Sequence, residues 1–255
     1  MQSRLQKEPY ESAGGELVKI AIQALLIAAI VRVFLFQPFA IPSGSMIPTL
    51  LVGDYLIVSK YSYGYSRYSF PFAPNFFHGR LFGDAPKRGD VVVFKLPSDS
   101  SKDYIKRIVG LPGDKLQMKD GRLFINGQIV QRAEATKART EDFYGHVVDV
   151  PTYTETLPGG FAHTIIEIQG DVAFNDNTGV FEVPADHYFM MGDNRDNSSD
   201  SRADGNEGGV GMVPLANIIG RAQIVFFSVK KGEEAWRFWK WPQTVRFERI
   251  FTQVR

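Results

Sequence analysis

The feature that most limits what this chain can fold into is the run Leu17 to Ala40, LVKIAIQALLIAAIVRVFLFQPFA. Ile20 to Val31 carries no charge, and Lys19 and Arg32 sit where long side chains extend toward lipid headgroups. About 20 apolar residues cross the ~30 Å hydrocarbon layer as a helix. A cleaved leader has a shorter apolar core followed by a small-residue cut site. Here the run continues through Val33-Phe34-Leu35-Phe36, and bulky Phe39 precedes Ile41, which favours a retained anchor. Arg4, Lys7 and Lys19 lie on or near the N-terminal side, whereas the next basic residue beyond Phe39 is Lys60. Cationic flanks stay cytoplasmic, so the expectation is an inside N-terminus and a body held outside at the membrane surface.

That body has ample length for a real core, since the chain has 255 residues. Its net charge is +1 with both signs interspersed, so no basic stripe points to nucleic acid. Cysteine is absent, which excludes disulfides, thiolate catalysis and Cys-ligated zinc. The histidines His78, His146, His163 and His187 form no HExxH pair, and no cofactor or metal centre is expected.

After the anchor the pattern is that of strands. Asp54 to Ser59, Val91 to Phe94 and Asp103 to Val109 are short, β-branched and bounded by Gly, Asp or Pro. Residues 61 to 86 read as an exposed loop that touches lipid through Phe70, Phe72, Phe76 and Phe77. Asp120-Gly121 and Asn126-Gly127 are strong hairpin signals, and they predict three strands over Lys115 to Lys119, Arg122 to Ile125 and Gln128 to Arg132. Residues 133 to 184 continue polar and β-like, and Gly220 to Val229 is a late core strand. Trp236, Trp239 and Trp241 sit among basic residues, which suits either a membrane interface or packing against the body. The predicted organisation is a tail (1–16), an anchor (17–39), a first core part (40–111), a β-rich insertion (112–187) and a second core part (188–255). The fold class is mainly β, with one N-terminal transmembrane helix.

Chemistry can start at Ile41-Pro42-Ser43-Gly44-Ser45-Met46-Ile47-Pro48-Thr49-Leu50. Two prolines stiffen this stretch, and Gly44 lets the chain approach another group closely. A serine here can present its Oγ and its own N–H to one target, as a nucleophile with an oxyanion donor requires. An ordinary turn uses the same residues. The serine-hydrolase elbow GxSxG is absent, and none of the histidines stands in a Gly- or Asp-rich motif, so a histidine base stays open but unsupported. A lysine serves as base when burial keeps it neutral. Lys106 fits, since Tyr104, Ile105, Ile108 and Val109 surround it on a strand that reads as core. An edge-strand lysine turned to water is the plain alternative. Gly192 to Arg202, GDNRDNSSDSR, is too charged for a core, and it can scaffold a site through Asp200 with Arg202 while Ser198 offers a hydroxyl to an amine. The EF-hand spacing is not met there.

Taken together these segments resemble the bacterial type I signal peptidases (leader peptidases). The match covers the anchor and most of the remaining chain. It rests on Pro42 to Leu50, Gly53-Asp54, Lys87 to Phe94, Tyr104 to Arg107 with Gly110 to Asp114, and Gly192 to Arg195 through Asp200-Ser201-Arg202. The resemblance implies a membrane-anchored serine protease with an all-β catalytic fold. It puts the nucleophile on Ser45, the general base on Lys106, and the oxyanion hole on the Ser45 N–H and the Ser43 hydroxyl. Ser198 takes the place of the serine that orients the lysine, and Asp200 and Arg202 match the supporting charged pair. Phe39, Ile41, Leu56, Val93, Asp103 and Ile105 match positions lining substrate pockets, with Met46, Leu50 and Tyr104 nearby. The partners implied are exported preproteins, membrane lipid and the vicinity of the secretion translocon. This chain departs from some members in having one span. It also carries Ala203 to Gly209 where others have a short aromatic turn. A relative specialised for pilin processing or an organelle inner membrane shares the same motifs, and an anchored β-domain that binds exported chains without cutting them is the reading from another class.

Overall fold

The computed structural model describes residues 13–70, 72–74, 79–141, 146–205 and 208–255. Phe76 and Phe77 therefore lie outside the described residues. The first described element is α1, Ala13–Ile30, which widens into a π turn over Val31–Leu35. Gly14–Leu35 is a 22-residue helical run with none of its length buried. At 1.5 Å per residue it is about 33 Å long, which fits the ~30 Å hydrocarbon layer. Its apolar side chains, such as Leu25 and Ile27, are exposed on all sides. Only the C-terminal end of the run meets the body, where Phe34 packs on Tyr65 and Phe70, and an apolar helix exposed in this way matches a lipid environment.

The helix stops at Leu35, short of the expected residue 39, and Phe36–Ala40 is strand β1. Pro38 explains the stop, because it lacks an N–H and its ring drives Gln37 out of the helical region. Apolar composition alone does not register that change. There follow β2 (Asp54–Ser59), β3 (Val91–Lys95), β4 (Asp103–Gly110), β5 (Lys115–Lys119), β6 (Arg122–Ile125), β7 (Gln128–Ile129) and β8 (Gln131–Glu141). The remainder is β9 (Val147–Leu157), β10 (Phe161–Ile166), β11 (Phe181–Glu182), β12 (His187–Met191), β13 (Val213–Pro214), β14 (Ile218–Ser228) and β15 (Thr252–Gln253).

The main sheet has the order β1-β2-β14-β3-β4-β12-β13, with β15 added to β14. Among the described residues it takes no strand from 112–186, which contribute instead the sheets β10-β9-β8 and β11-β5-β6-β7, while β12 starts at His187. The two predicted hairpins are present. Asp120-Gly121 and Asn126-Gly127 both hold positive φ at both positions, as two-residue type I′ turns require. The strand expected over Gln128 to Arg132 is split at Val130. Gln128–Ile129 pairs with β6, whereas Gln131 onward pairs with β9.

Alternation along β12 builds the interior. Tyr188 and Met190 enter a core with Val92, Phe94 and Ile108. Phe189 and Met191 point the other way into a core with Leu116, Met118 and Leu157. A third core, of Ile41, Met46, Leu50, Leu56, Val91 and Val225, underlies the loop after β1. The described residues of the segment 61–86 are less exposed than its composition suggests. Tyr63, Ser66 and Ser69 are buried, and Arg80 donates to the carbonyls of Tyr63, Gly64, Leu215 and Ile218. Phe72 is fully exposed. In the tail Trp241 packs on Phe227 at 5.1 Å, while Trp236 and Trp239 pair with each other and stay exposed.

Candidate active site

The loop from Ile41 to Asp54 is fixed at its ends and from below. Ile41 N–H donates to Asp54 O at 2.8 Å, and Gly53 N–H returns a bond to Ile41 O at 3.0 Å. Met46 and Leu50 are fully buried, so the short helical turn between them is pinned to the core and Ser45 is presented at its start. Ser45 itself is only 7% exposed. Its amide N–H has no hydrogen-bond partner among the described residues.

Lys106 reaches the same point from β4. Its Nζ stands 2.5 Å from Ser45 Oγ, and the side chain is 3% exposed. Burial pushes its pKa from 10.5 down to about 8, against the pull of Asp200 and Asp193, with Arg202 assisting the depression. A neutral amine at this distance accepts the hydroxyl proton, and a charged one donates to the oxygen. With a pKa near 8, about a tenth of the molecules carry the neutral amine at pH 7.

The segment Gly192 to Arg202 packs behind this pair. Asn194 N–H donates to Ser45 O and its side-chain amide to Gly44 O, both at 3.1 Å. Asp200 is buried and takes the Gly192 N–H at 3.1 Å and two Arg202 nitrogens at 3.0 Å each. Burial works to raise the Asp200 carboxyl, yet the Arg202 guanidinium and the Gly192 N–H hold it below the usual carboxylate range. Ser198 is buried nearby, but its Oγ makes no hydrogen bond, so the expected bond to Lys106 is not formed here. Gly192 makes this closeness possible. A Cβ there would meet Ser198 Oγ at 2.3 Å and Ser45 O at 2.5 Å.

A second buried pair braces the site. Arg107 donates to both oxygens of Asp193, at 2.8 and 2.7 Å, and Thr49 Oγ1 donates to Asp193 Oδ2 at 2.5 Å. This joins β4, the serine loop and the segment after β12 in one network. Bidentate guanidinium–carboxylate pairs fix orientation as well as charge. His163 lies beside it, 3.8 Å from Asp193, and burial pushes its pKa down to about 4, so it is neutral. The ionisable side chain within hydrogen-bond distance of Ser45 Oγ is a lysine.

In front of the pair is a cavity of about 580 Å³ lined by Phe39, Ile41, Ser43, Val93, Asp103, Tyr104 and Ile105, together with Ser45 and Lys106. Two walls are strand edges. β1 is the edge of its sheet, and among the described residues no strand pairs with the outer side of Asp103 to Lys106, because β12 joins β4 only from Arg107 onward. Of the expected pocket residues, Met46, Leu50 and Leu56 do not line it. They are wholly buried in the third core, where they support the serine loop and β1 from beneath. Asn197 and Ser199 do line it and were missed, as were Asn194 and Asp193. Asp193 and Asn194 stand in the Gly192 to Arg195 motif without an assigned role, and Asn197 and Ser199 had no sequence signal beyond membership of the charged loop.

Comparison with known proteins follows the same lines. The family model described as signal peptidase, peptidase S26, matches residues 15–227. A signal peptidase I of Rickettsia typhi is 42% identical over 251 residues, covering 90% of each chain. That of Rickettsia akari is 41% identical over 248 residues, covering 90% of this chain and 89% of its own. A solved signal peptidase I of Enterococcus faecalis V583 aligns at 23% identity with a TM-score of 0.30, over 54% of this chain and 97% of that one. The extent of the family match and the identity to full-length relatives lead to one conclusion: the chain belongs to the signal peptidase family, peptidase S26.

Proposed function

We propose that this chain is a membrane-anchored endopeptidase that removes N-terminal signal peptides from exported preproteins with a Ser45–Lys106 dyad. The observation that carries the reading is the 2.5 Å approach of a buried, largely desolvated lysine nitrogen to a serine oxygen at the floor of a cavity. An extended preprotein segment lies between the β1 edge and the open side of Asp103 to Lys106, pairing by strand addition. The apolar walls at Phe39, Ile41, Val93 and Ile105 take small side chains at the first and third positions before the cut. Ser45 Oγ attacks the scissile carbonyl as neutral Lys106 Nζ takes its proton. The oxyanion is held by the Ser45 N–H and the Ser43 hydroxyl, each worth about 3 kcal/mol by analogy with other acyl transfers. The Lys106 ammonium then gives its proton to the departing amine, leaving an acyl ester on Ser45. Water enters, Lys106 takes its proton, and hydrolysis restores the serine.

Ser198 gives the neutral amine a hydroxyl partner once its side chain turns toward Lys106, and the Asp200–Arg202 pair holds that segment in place. Gly14–Leu35 crosses the cytoplasmic membrane with the basic N-terminal side inside, so the cavity opens at the outer surface, near where exported chains emerge. The test is cleavage of a synthetic preprotein by the purified full chain in detergent. Ser45→Ala and Lys106→Arg are expected to abolish turnover, and full cleavage by Ser45→Ala would refute the dyad.

A further inference from the structure

No metal motif is present in the sequence, yet the fold gathers carboxylates from separate segments. Glu167 follows β10, Asp176 lies before β11, and Asp196 belongs to the loop after β12. One oxygen of each lies within 4.8 Å of the other two. The meeting is built by backbone pairing. Ile166 N–H donates to Asp193 O and Arg195 N–H to Ile166 O, both at 3.0 Å, which sets Glu167 beside Asp196. Gln169 N–H donates to one oxygen of Asp196, and Ala173 N–H to one oxygen of Asp176, both at 2.6 Å.

A second observation is independent of that proximity. Each carboxylate keeps one oxygen that is buried and without any hydrogen-bond partner: Glu167 Oε2, Asp176 Oδ1 and Asp196 Oδ1. Glu167 and Asp176 are wholly buried. The arginines nearby make their close ion pairs with other carboxylates, although Arg202 Nη1 is itself buried without a partner. Arg132 makes two 2.8 Å bonds to Asp171, Arg195 is bidentate on Glu155, and Arg202 is bidentate on Asp200. The approach of Arg132 to Glu167 is long, at 3.5 Å. Buried carboxylates left in this way either hold protons or take a cation.

We propose that Glu167, Asp176 and Asp196 bind a hard divalent cation of the calcium class. The donor set is all oxygen, with no sulfur or imidazole, which selects calcium or magnesium over zinc or copper. Oxygens on opposite sides of a calcium ion at about 2.4 Å stand at most about 4.8 Å apart, so the spacing accommodates one ion. The ion would clip the inserted sheets to the segment that carries Ser198 and Asp200, since Asp196 stands two residues before Ser198. It takes no part in the serine–lysine chemistry, so the site stands or falls separately from the peptidase reading.

The test uses the full chain in detergent, stripped with a chelator and titrated with calcium chloride, then with magnesium chloride. Calorimetry is expected to show one saturable site, and the melting temperature to rise by roughly 5 °C when calcium is at about 100 times its Kd. Asp176→Asn should lose both responses. In chelator it should melt no lower than the wild type, because removing a buried like charge relieves repulsion. Absence of any response to either cation in the wild type overturns the site and leaves carboxyls sharing protons. A calcium response undiminished in both Asp176→Asn and Glu167→Gln overturns it equally, by placing the ion elsewhere.

Discussion

Lys106 sets the terms at the scale of single residues. Its pKa is lowered from 10.5 to about 8 by burial, so between these values the unfolded chain binds a proton that the folded chain has released. Stability attributable to this residue therefore rises from pH 8 to 10.5, and below pH 8 the full cost of burying the charge is present. That cost is about 3 kcal/mol. Lys106→Met is expected to be inactive yet more stable than the wild type at pH 7 by roughly 1–3 kcal/mol, measured by denaturant unfolding. Because the dyad needs the neutral amine, kcat/KM should rise with pH along a limb centred near 8, and a flat profile between pH 6 and 9 would count against Lys106 as base. Ser198 offers a complementary test, since its Oγ makes no hydrogen bond here. Ser198→Ala should leave the melting temperature unchanged while kcat falls about tenfold or more with KM intact, as expected for a group acting through the amine.

Elements bring these residues together, and two junctions are decisive. Gly192 lets the serine loop and the Ser198 segment close on each other, with room for no side chain. Gly192→Ala should therefore separate them, destabilising the fold by about 1–3 kcal/mol and removing most activity. The other junction is the end of the helical run at Leu35. Truncation before Phe36 keeps β1 and should give a folded domain that still cleaves peptide. Truncation before Ile41 removes the strand paired with β2 and one wall of the cavity. Its product should lose cleavage, and retention of full activity would show that β1 is dispensable.

Among the described residues, exposed apolar side chains run the length of Gly14–Leu35 and gather again in the aromatic tail with Trp236, Phe238, Trp239, Phe247 and Phe251, while others, such as Phe72, Phe82 and Phe174, stand on loops. Aromatic rings with polar edges favour the membrane interface. Without its helix the domain should still adsorb to phospholipid vesicles, seen as a blue shift of tryptophan emission. Trp236→Ser with Trp239→Ser should remove that shift.

What the sequence determined by itself was whatever depends on local order. The apolar run, the Asp-Gly and Asn-Gly turns, the valine-rich strand and the placement of Lys106 among core residues each follow from composition or periodicity over a few residues. Tertiary structure decided the rest, because it depends on residues far apart in the chain. Only packing shows that Met46, Leu50 and Leu56 support the cavity from beneath instead of lining it, and that Asn194 and Asp193 brace the serine loop. The meeting of Glu167, Asp176 and Asp196 likewise has no spacing to be read, since backbone pairing between β10 and the loop after β12 creates it. Lysine chemistry follows the same division: one residue type supplies the amine, and only the fold can keep it out of water.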